Sequence, residues 1–195
     1  MASTADALTS SQAARRQRVL QAALQLGAEG GYEAVQMRDV AASAEVALGT
    51  IYRYFPSKDA LLAAAMVEWM EDLERRVTQR APRGATTSAR VYDVLARAVG
   101  TMERQPKLAE AVITALTSDD REAGVASTNT TEVMQRVMLR AFPPGTDPAT
   151  EAAIAKVLGH VWFSCLVAWS NGVGDLPWVA TELETASHLL RDHLG

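Results

Sequence analysis

Between Gln36 and Lys58 the chain reads QMRDVAASAEVALGTIYRYFPSK, and its apolar positions fall into two short helical registers. Met37, Val40, Ala41 and Ala44 recur at i, i+3, i+4 and i+7, which predicts a short amphipathic helix. A break at Glu45-Val46 follows, and Ile51 and Phe55 at i, i+4 mark a second helix that Pro56 ends. Two helices of about eight residues across so tight a break read as a helix-turn-helix. The second helix turns Thr50, Tyr52, Arg53 and Tyr54 away from its apolar side. All four carry hydrogen-bond donors, suited to base edges and phosphate oxygens while Ile51 and Phe55 anchor the helix.

The same periodicity organises the rest of the chain. Helix 1 is expected from Ser11 to Glu29, with Val19, Ala22, Ala23 and Leu26 as its buried stripe and Gly30-Gly31 as its stop. Met1 to Ser10 is small and polar, composition that predicts a disordered tail. Tyr32 and Val35 fill the link into helix 2. With Ser57 as N-cap, Leu61, Leu62, Met66, Trp69, Met70, Leu73 and Val77 predict one long helix to Arg80, joining head and body without a flexible linker. Helices then follow over Ser88–Glu103, Pro106–Thr117, Asn129–Ala141, Pro148–Asn171 and Trp178–His193. The Ser-, Thr-, Asp- and Gly-rich stretch from Ser118 to Thr131 gives no clear pattern. No strand-like alternation occurs, so the expected class is all-α with about nine helices: a head over residues 1–56 and a helical body over residues 57–195.

Charge refines this division. Residues 1–60 hold six Lys and Arg against six Asp and Glu, and residues 61–195 hold 13 against 17, so the net charge of -4 sits in the body. An acidic total does not exclude nucleic acid, because affinity follows a local cationic patch; it argues against sequence-blind wrapping of DNA. Arg15, Arg16 and Arg18 crowd the first turns of helix 1, either as a solvated basic face or with Arg16 and a neighbour neutralising phosphates. The single Cys165 lies in an apolar run, which suits a buried thiol in a reducing cytoplasm. The N-terminus lacks an apolar signal-peptide core, and the run from Val161 to Trp169 is far shorter than the roughly 20 residues that span a bilayer. A cytoplasmic protein with no membrane association is expected.

The segments GGYEAVQMRDVA and GTIYRYFPSK, with A-x-x-x-V between them, resemble the DNA-binding domain of the TetR family of bacterial transcriptional regulators over Arg15 to Leu62. In a helix-turn-helix the N-terminal end of the second helix enters the major groove, which brings Leu48, Gly49 and Thr50 nearest the bases. Leu48 either joins the core stripe or lies against a thymine methyl; the resemblance favours the second. Arg38 is suited to a bidentate pair with guanine. The resemblance implies Tyr52, Tyr54 and Lys58 as phosphate anchors, while Arg53 fits either role or open solvent. The aromatic pair also has a plain reading as packing residues.

Three positions depart from the family pattern. Gln36 and Ala47 stand where Ser or Thr commonly cap helices 2 and 3, and Glu45 where Gly commonly takes the turn. Ala for Ser at a cap costs about 1 kcal/mol, and a non-Gly residue at positive φ roughly 1–2 kcal/mol. Gln36 is therefore a candidate for a phosphate or base contact instead of a cap.

The body holds Trp69, Met70, Met102, Met134, Met138, Trp162 and Trp169 on several helices. Flexible Met beside rigid Trp can line an adaptable apolar cavity, or simply fill a core. The resemblance implies the cavity, since in that family helices 4 to 8 surround an inducer. The helix around Val161–Trp169 is apolar nearly all round, and Val179, Leu183, Ala186, Leu189 and Leu190 offer a further stripe on the last helix. Paired with their symmetry mates, the last two helices would close a homodimer that sets two heads on a pseudo-palindromic double-stranded DNA site.

The form VQMRxVAxxAxVAxGTxYRYFPSK, together with VWFSCLVAW, is similar to actinobacterial repressors of cholesterol and steroid catabolism within that family. That branch implies a hydrophobic inducer, a sterol-derived acid or its coenzyme A thioester. Two rivals remain open: a regulator of another pathway such as drug efflux, and a helical small-molecule-binding dimer without DNA. No G-x-S-x-G elbow, phosphate-cradling loop or HExxH is present, so no enzyme and no cofactor are expected. Glu184 and His188 fall at i, i+4 and read as an exposed helical pair; no metal site is expected.

Overall fold

The computed structural model describes residues 9–189. Within them the chain forms α1 (Ser10–Ala34), α2 (Met37–Ser43), α3 (Leu48–Tyr54), α4 (Lys58–Gln79), α5 (Thr87–Glu103), α6 (Pro106–Leu116), α7 (Arg121–Leu139), α8 (Pro148–Ser170) and α9 (Leu176–Leu189). No strand occurs among the described residues. The expected disorder of Met1–Ser10 falls almost wholly outside them, as do Leu190 and His193.

Helix starts follow side-chain chemistry. Thr9 and Gln12 form a reciprocal capping box on α1, and Ser57, Thr86, Asp120 and Asp147 each accept a backbone N–H in the first turn of their helices. Helix 1 does not stop at Glu29. Gly31 kinks the backbone (φ 72, ψ -161) and one more helical turn reaches Ala34, a conformation that glycine alone adopts without strain. The stripe shifts with it: Val19, Leu20, Ala22, Ala23 and Gly27 are buried, and Leu26 only partly. At Gly27 a Cβ would stand 2.8 Å from a Leu108 methyl, so the missing side chain lets α1 seat on α6.

Helix 7 is the larger correction. It begins at Arg121, eight residues before the expected start at Asn129. Thr128, Thr130 and Thr131 turn their hydroxyls back to the carbonyls of Gly124, Ala126 and Ser127, which satisfies them inside the helix. Packing of this helix along α4 then outweighs the poor helix propensity of a Ser/Thr-rich run. The last helix also starts early, at Leu176, because Asp175 accepts the Trp178 N–H at 2.8 Å and Pro177 falls in the first turn.

The core is continuous from head to body: Leu20, Val40, Ile51 and Phe55 belong to the same buried cluster as Leu61, Met66, Val99, Ile113, Val137 and Leu158. α8 is long and apolar enough by composition to cross a bilayer, yet Ile154, Leu158, Trp162, Cys165 and Leu166 face α6, α7 and α9. A helix apolar all round that packs on one side gives the same signal as a membrane span. Burial pushes the Cys165 thiol above its ordinary range, with Glu182 adding to the effect, which keeps it an unreactive thiol.

The α2–α3 turn carries a strain that the sequence forecasts. Glu45 has φ 53, the sole positive φ at a non-glycine among the described residues, and lets the Val46 N–H reach the Ala41 carbonyl at 3.0 Å. Glycine there relieves roughly 1–2 kcal/mol and costs roughly 0.5–1 kcal/mol through the unfolded chain. Glu45→Gly should therefore raise the urea midpoint by the equivalent of about 0.5–1 kcal/mol; a lowered midpoint would show that the Glu45 side chain matters more than its backbone.

Candidate nucleic-acid interface and sensor core

α3 is held by its apolar edge. Ile51 is fully buried and Phe55 nearly so, worth about 1.5–3 kcal/mol each for so complete a burial. The opposite edge carries exposed Gly49, Tyr52 and Arg53, with Thr50 half-buried. Tyr52 keeps 49% of its surface open, unusual for a tyrosine with no packing role. Tyr54 is intermediate: its ring packs partly on the core, its hydroxyl accepts from Arg53 at 3.3 Å, and the Arg53 guanidinium sits 5.2 Å from the ring centre. Leu48 also leans on the core, halfway between its two readings.

On α2, Arg38 is exposed and projects from the first turn. Gln36 makes no cap; its amide donates to the Glu33 carbonyl at 2.9 Å. Ala47 caps nothing either, so the first N–H groups of α3 lack a side-chain partner. Gly49 stands in that turn, and a Cβ there would meet nothing within 4 Å. The fold does not require glycine at this place. Gly49→Ala should leave the fold intact and raise its stability by about 0.5–1 kcal/mol, while weakening DNA binding if a base or sugar occupies the open space; unchanged affinity in a gel-shift titration would remove Gly49 from the interface.

Two expected anchors are turned inward in this structure. Arg16 reaches Glu68 on α4 at 3.3 Å and lies over the Phe55 ring at 5.3 Å, with Gln17 donating to the other Glu68 oxygen at 3.0 Å. Lys58 donates to the Tyr32 carbonyl at 3.2 Å and sits 3.5 Å from the centre of its ring. The Tyr32 hydroxyl donates to Asp59 at 2.6 Å; burial first and that carboxylate second push its pKa up to about 12. Sequence reasoning missed this Tyr32–Lys58–Asp59 cluster, although the Ser57 cap, which places two charged residues in the first turn, was its signal.

The second contact missed lies where head meets body. Asp120 at the start of α7 accepts from the Ala123 N–H at 2.9 Å, and this bond first, with the Ser57 hydroxyl nearby second, holds its carboxyl below the usual range. A cleft of about 190 Å³ opens beside it, between Arg16, Tyr54 and Phe55 of the head and Glu122, Val125 and Asn129 of α7.

The seven Met and Trp candidates divide. Met70, Met102, Met134, Met138 and Trp162, from α4, α5, α7 and α8, are buried in the common core. Trp69 is not with them: it faces outward against α1 and α6 in a surface cleft of about 520 Å³ with Gln21, Leu24, Gln25 and Gln105. Trp169, near the end of α8, is only partly buried. Residues 69 and 70 are neighbours on a helix and point about 100° apart, so one register cannot bury both. Glu184 and His188 form the exposed i, i+4 pair, 3.9 Å apart.

A three-helix head with an outward recognition helix, rigidly continuous with a helical body, defines a class. Residues 19–65 match the family model described as bacterial regulatory proteins of the tetR family, and residues 84–190 match that for the tetracyclin repressor-like C-terminal domain. The chain belongs to the TetR family and is a DNA-binding transcriptional repressor of that type, not an enzyme. It is similar to the HTH-type transcriptional repressor KstR of Rhodococcus jostii, 38% identical over 95% of this chain and 86% of that protein. KstR of Mycobacterium tuberculosis is 35% identical over 90% of this chain and 80% of that protein. Among solved structures, a TetR regulator from Rhodococcus sp. RHA1 matches with TM-score 0.83 and 29% identity, covering 95% of this chain and all of that one, 100%. Thermus thermophilus FadR in complex with lauroyl-CoA shares the fold at TM-score 0.71 and 19% identity, over 92% of this chain and 95% of that one.

Proposed function

We propose that the chain is a homodimeric repressor of steroid or related lipid catabolism genes, released from its operator by a sterol-derived acid or its coenzyme A thioester. The outward face of α3 carries the DNA half of this reading. Gly49 and Thr50, with Leu48, enter the major groove, Arg38 reads a guanine, and Tyr52, Arg53 and Tyr54 hold phosphates. Gln36 sits at the start of α2, within reach of the same backbone. Lys58 and Arg16 join the phosphate contacts by leaving Tyr32 and Glu68. The head over residues 1–56 moves with the body over residues 57–195 through α4.

The steroid half rests on the similarity to KstR proteins and on the resemblance of the recognition motif and VWFSCLVAW to steroid-catabolism repressors. A protein of the same fold holds lauroyl-CoA, so this architecture can admit an acyl thioester. Inducer lodges among Met70, Met102, Met134, Met138 and Trp162, whose flexible thioethers can yield, with Trp69 and Trp169 at the margins. To move the operator from almost fully bound to almost fully free, inducer must favour the incompetent head spacing by about 5.5 kcal/mol. The packing of α7 along α4 lets a shift of α7 reach the base of α4.

The dimer forms through α8 and α9. Val157 is half-exposed and Val161, Val167 and Ala168 lie on the same uncovered side of α8. Such a face needs an apolar cover, and a second copy related by two-fold symmetry supplies one. As a DNA-bound regulator the protein works in the cytoplasm.

A gel-shift titration tests the pathway. A fragment from upstream of the protein's own gene should be retarded at low salt, and a steroid side-chain acyl thioester should release it where ethidium does not. Release by ethidium alone assigns the protein to drug efflux, and failure to retard any upstream fragment removes the DNA reading.

A further inference from the structure

Trp162 presents a polar group with nothing to bond. Its side chain is 1% exposed, and the indole Nε1–H finds no acceptor among the described residues. A buried N–H left unpaired is destabilising, and phenylalanine or leucine would fill a core without it.

The neighbouring turn holds a second oddity. Gly159 is one turn before Trp162 on the same face of α8, buried in the middle of the helix. Mid-helix glycine is destabilising relative to alanine, and close helix packing is its usual reason. Here a Cβ would meet only Met138 Cε at 3.8 Å and Thr131 Cγ2 at 3.9 Å, which is ordinary contact. The α7–α8 seam therefore has room at Gly159 for about a methyl group, one helical turn from Trp162, and is walled there by a methionine that can change rotamer.

We infer that the seam between α7 and α8 at Gly159, Met138 and Trp162 is an inducer subsite that selects a carbonyl oxygen on an otherwise apolar ligand, with Trp162 Nε1–H as the donor. This rests on the body's being the inducer site. The ligand's ring or chain enters at Gly159 as Met138 turns aside, the missing Cβ adding the last of the room. Its ketone, ester or thioester oxygen accepts the indole proton. A hydrocarbon of the same shape gains the apolar contact and leaves the N–H as it was, so discrimination comes from one hydrogen bond.

Binding of two matched pairs decides the matter: cholestenone against cholestene, and dodecanone against dodecane, each followed by quenching of tryptophan fluorescence and by thermal shift. Wild type should prefer the ketone by about tenfold in a pair that binds, and Trp162→Phe should lose that preference while keeping its affinity for the hydrocarbon. Because phenylalanine is smaller, benzothienylalanine at position 162 serves as the isosteric control without an N–H and should behave the same way. Gly159→Leu should weaken ketone and hydrocarbon alike. If the sterol pair fails to bind but the dodecyl pair shows the Trp162-dependent preference, the subsite stands and the steroid reading falls. Equal preference in wild type and both Trp162 variants, or binding of none of the four compounds, overturns the subsite.

Discussion

Tyr52→Ala is expected to weaken operator binding by about 100-fold or more, with the fold unaltered. Tyr52 is half-exposed and has no hydrogen bond within the described residues, so its removal leaves no hole. Each hydroxyl-to-phosphate bond is worth roughly 1.5–3 kcal/mol because the acceptor is charged. A dimer loses it twice. The loss should be the same on every DNA sequence, since phosphate contacts carry no base information. Tyr52→Phe separates the hydroxyl from the ring: affinity near that of the alanine variant assigns the effect to the hydrogen bond. Binding within threefold of wild type for Tyr52→Ala would place this face of α3 away from DNA.

Val157→Asp should cost as much by a different route. The residue is half-exposed on the uncovered side of α8, and the proposed symmetric interface would bury two carboxylates there. Sedimentation should report a monomer with unchanged helical content. Operator affinity should fall by a further factor of about 100, because two tethered heads gain from effective concentration and separate ones do not. A stable dimer with full affinity would move the interface elsewhere.

Much of this architecture was legible in the sequence, for reasons that differ from element to element. α4 was read almost to the residue because Ser57 caps it and its apolar positions recur without interruption. The turn strain at Glu45 was visible because a charged residue stood where the motif calls for glycine. α7 was hidden: Asp120 is as good a cap as Ser57, but the Ser/Thr run behind it becomes helical only once α4 covers its buried side. Which Met and Trp residues are buried was legible only in part. Counting Met and Trp found Met70, Met102, Met134, Met138 and Trp162, but it also gathered Trp69 and Trp169, because composition ignores the angle at which each residue leaves its helix. Arg16 and Lys58 were visible as cations and not as partners of Glu68 and Tyr32, since those pairings span 52 and 26 positions. Either side chain can reach a phosphate only by breaking these bonds first.

Photocrosslinking from position 49 is the most direct measurement of whether α3 is the reading element. With a photoreactive residue at Gly49 and a fragment of the upstream region, crosslinks should fall on major-groove bases in two half-sites separated by a whole number of helical turns, with two chains on each duplex. Crosslinks confined to sugars or the minor groove, or none from position 49 when a probe elsewhere on the chain marks the same DNA, would contradict the reading of α3 as the helix that meets the bases.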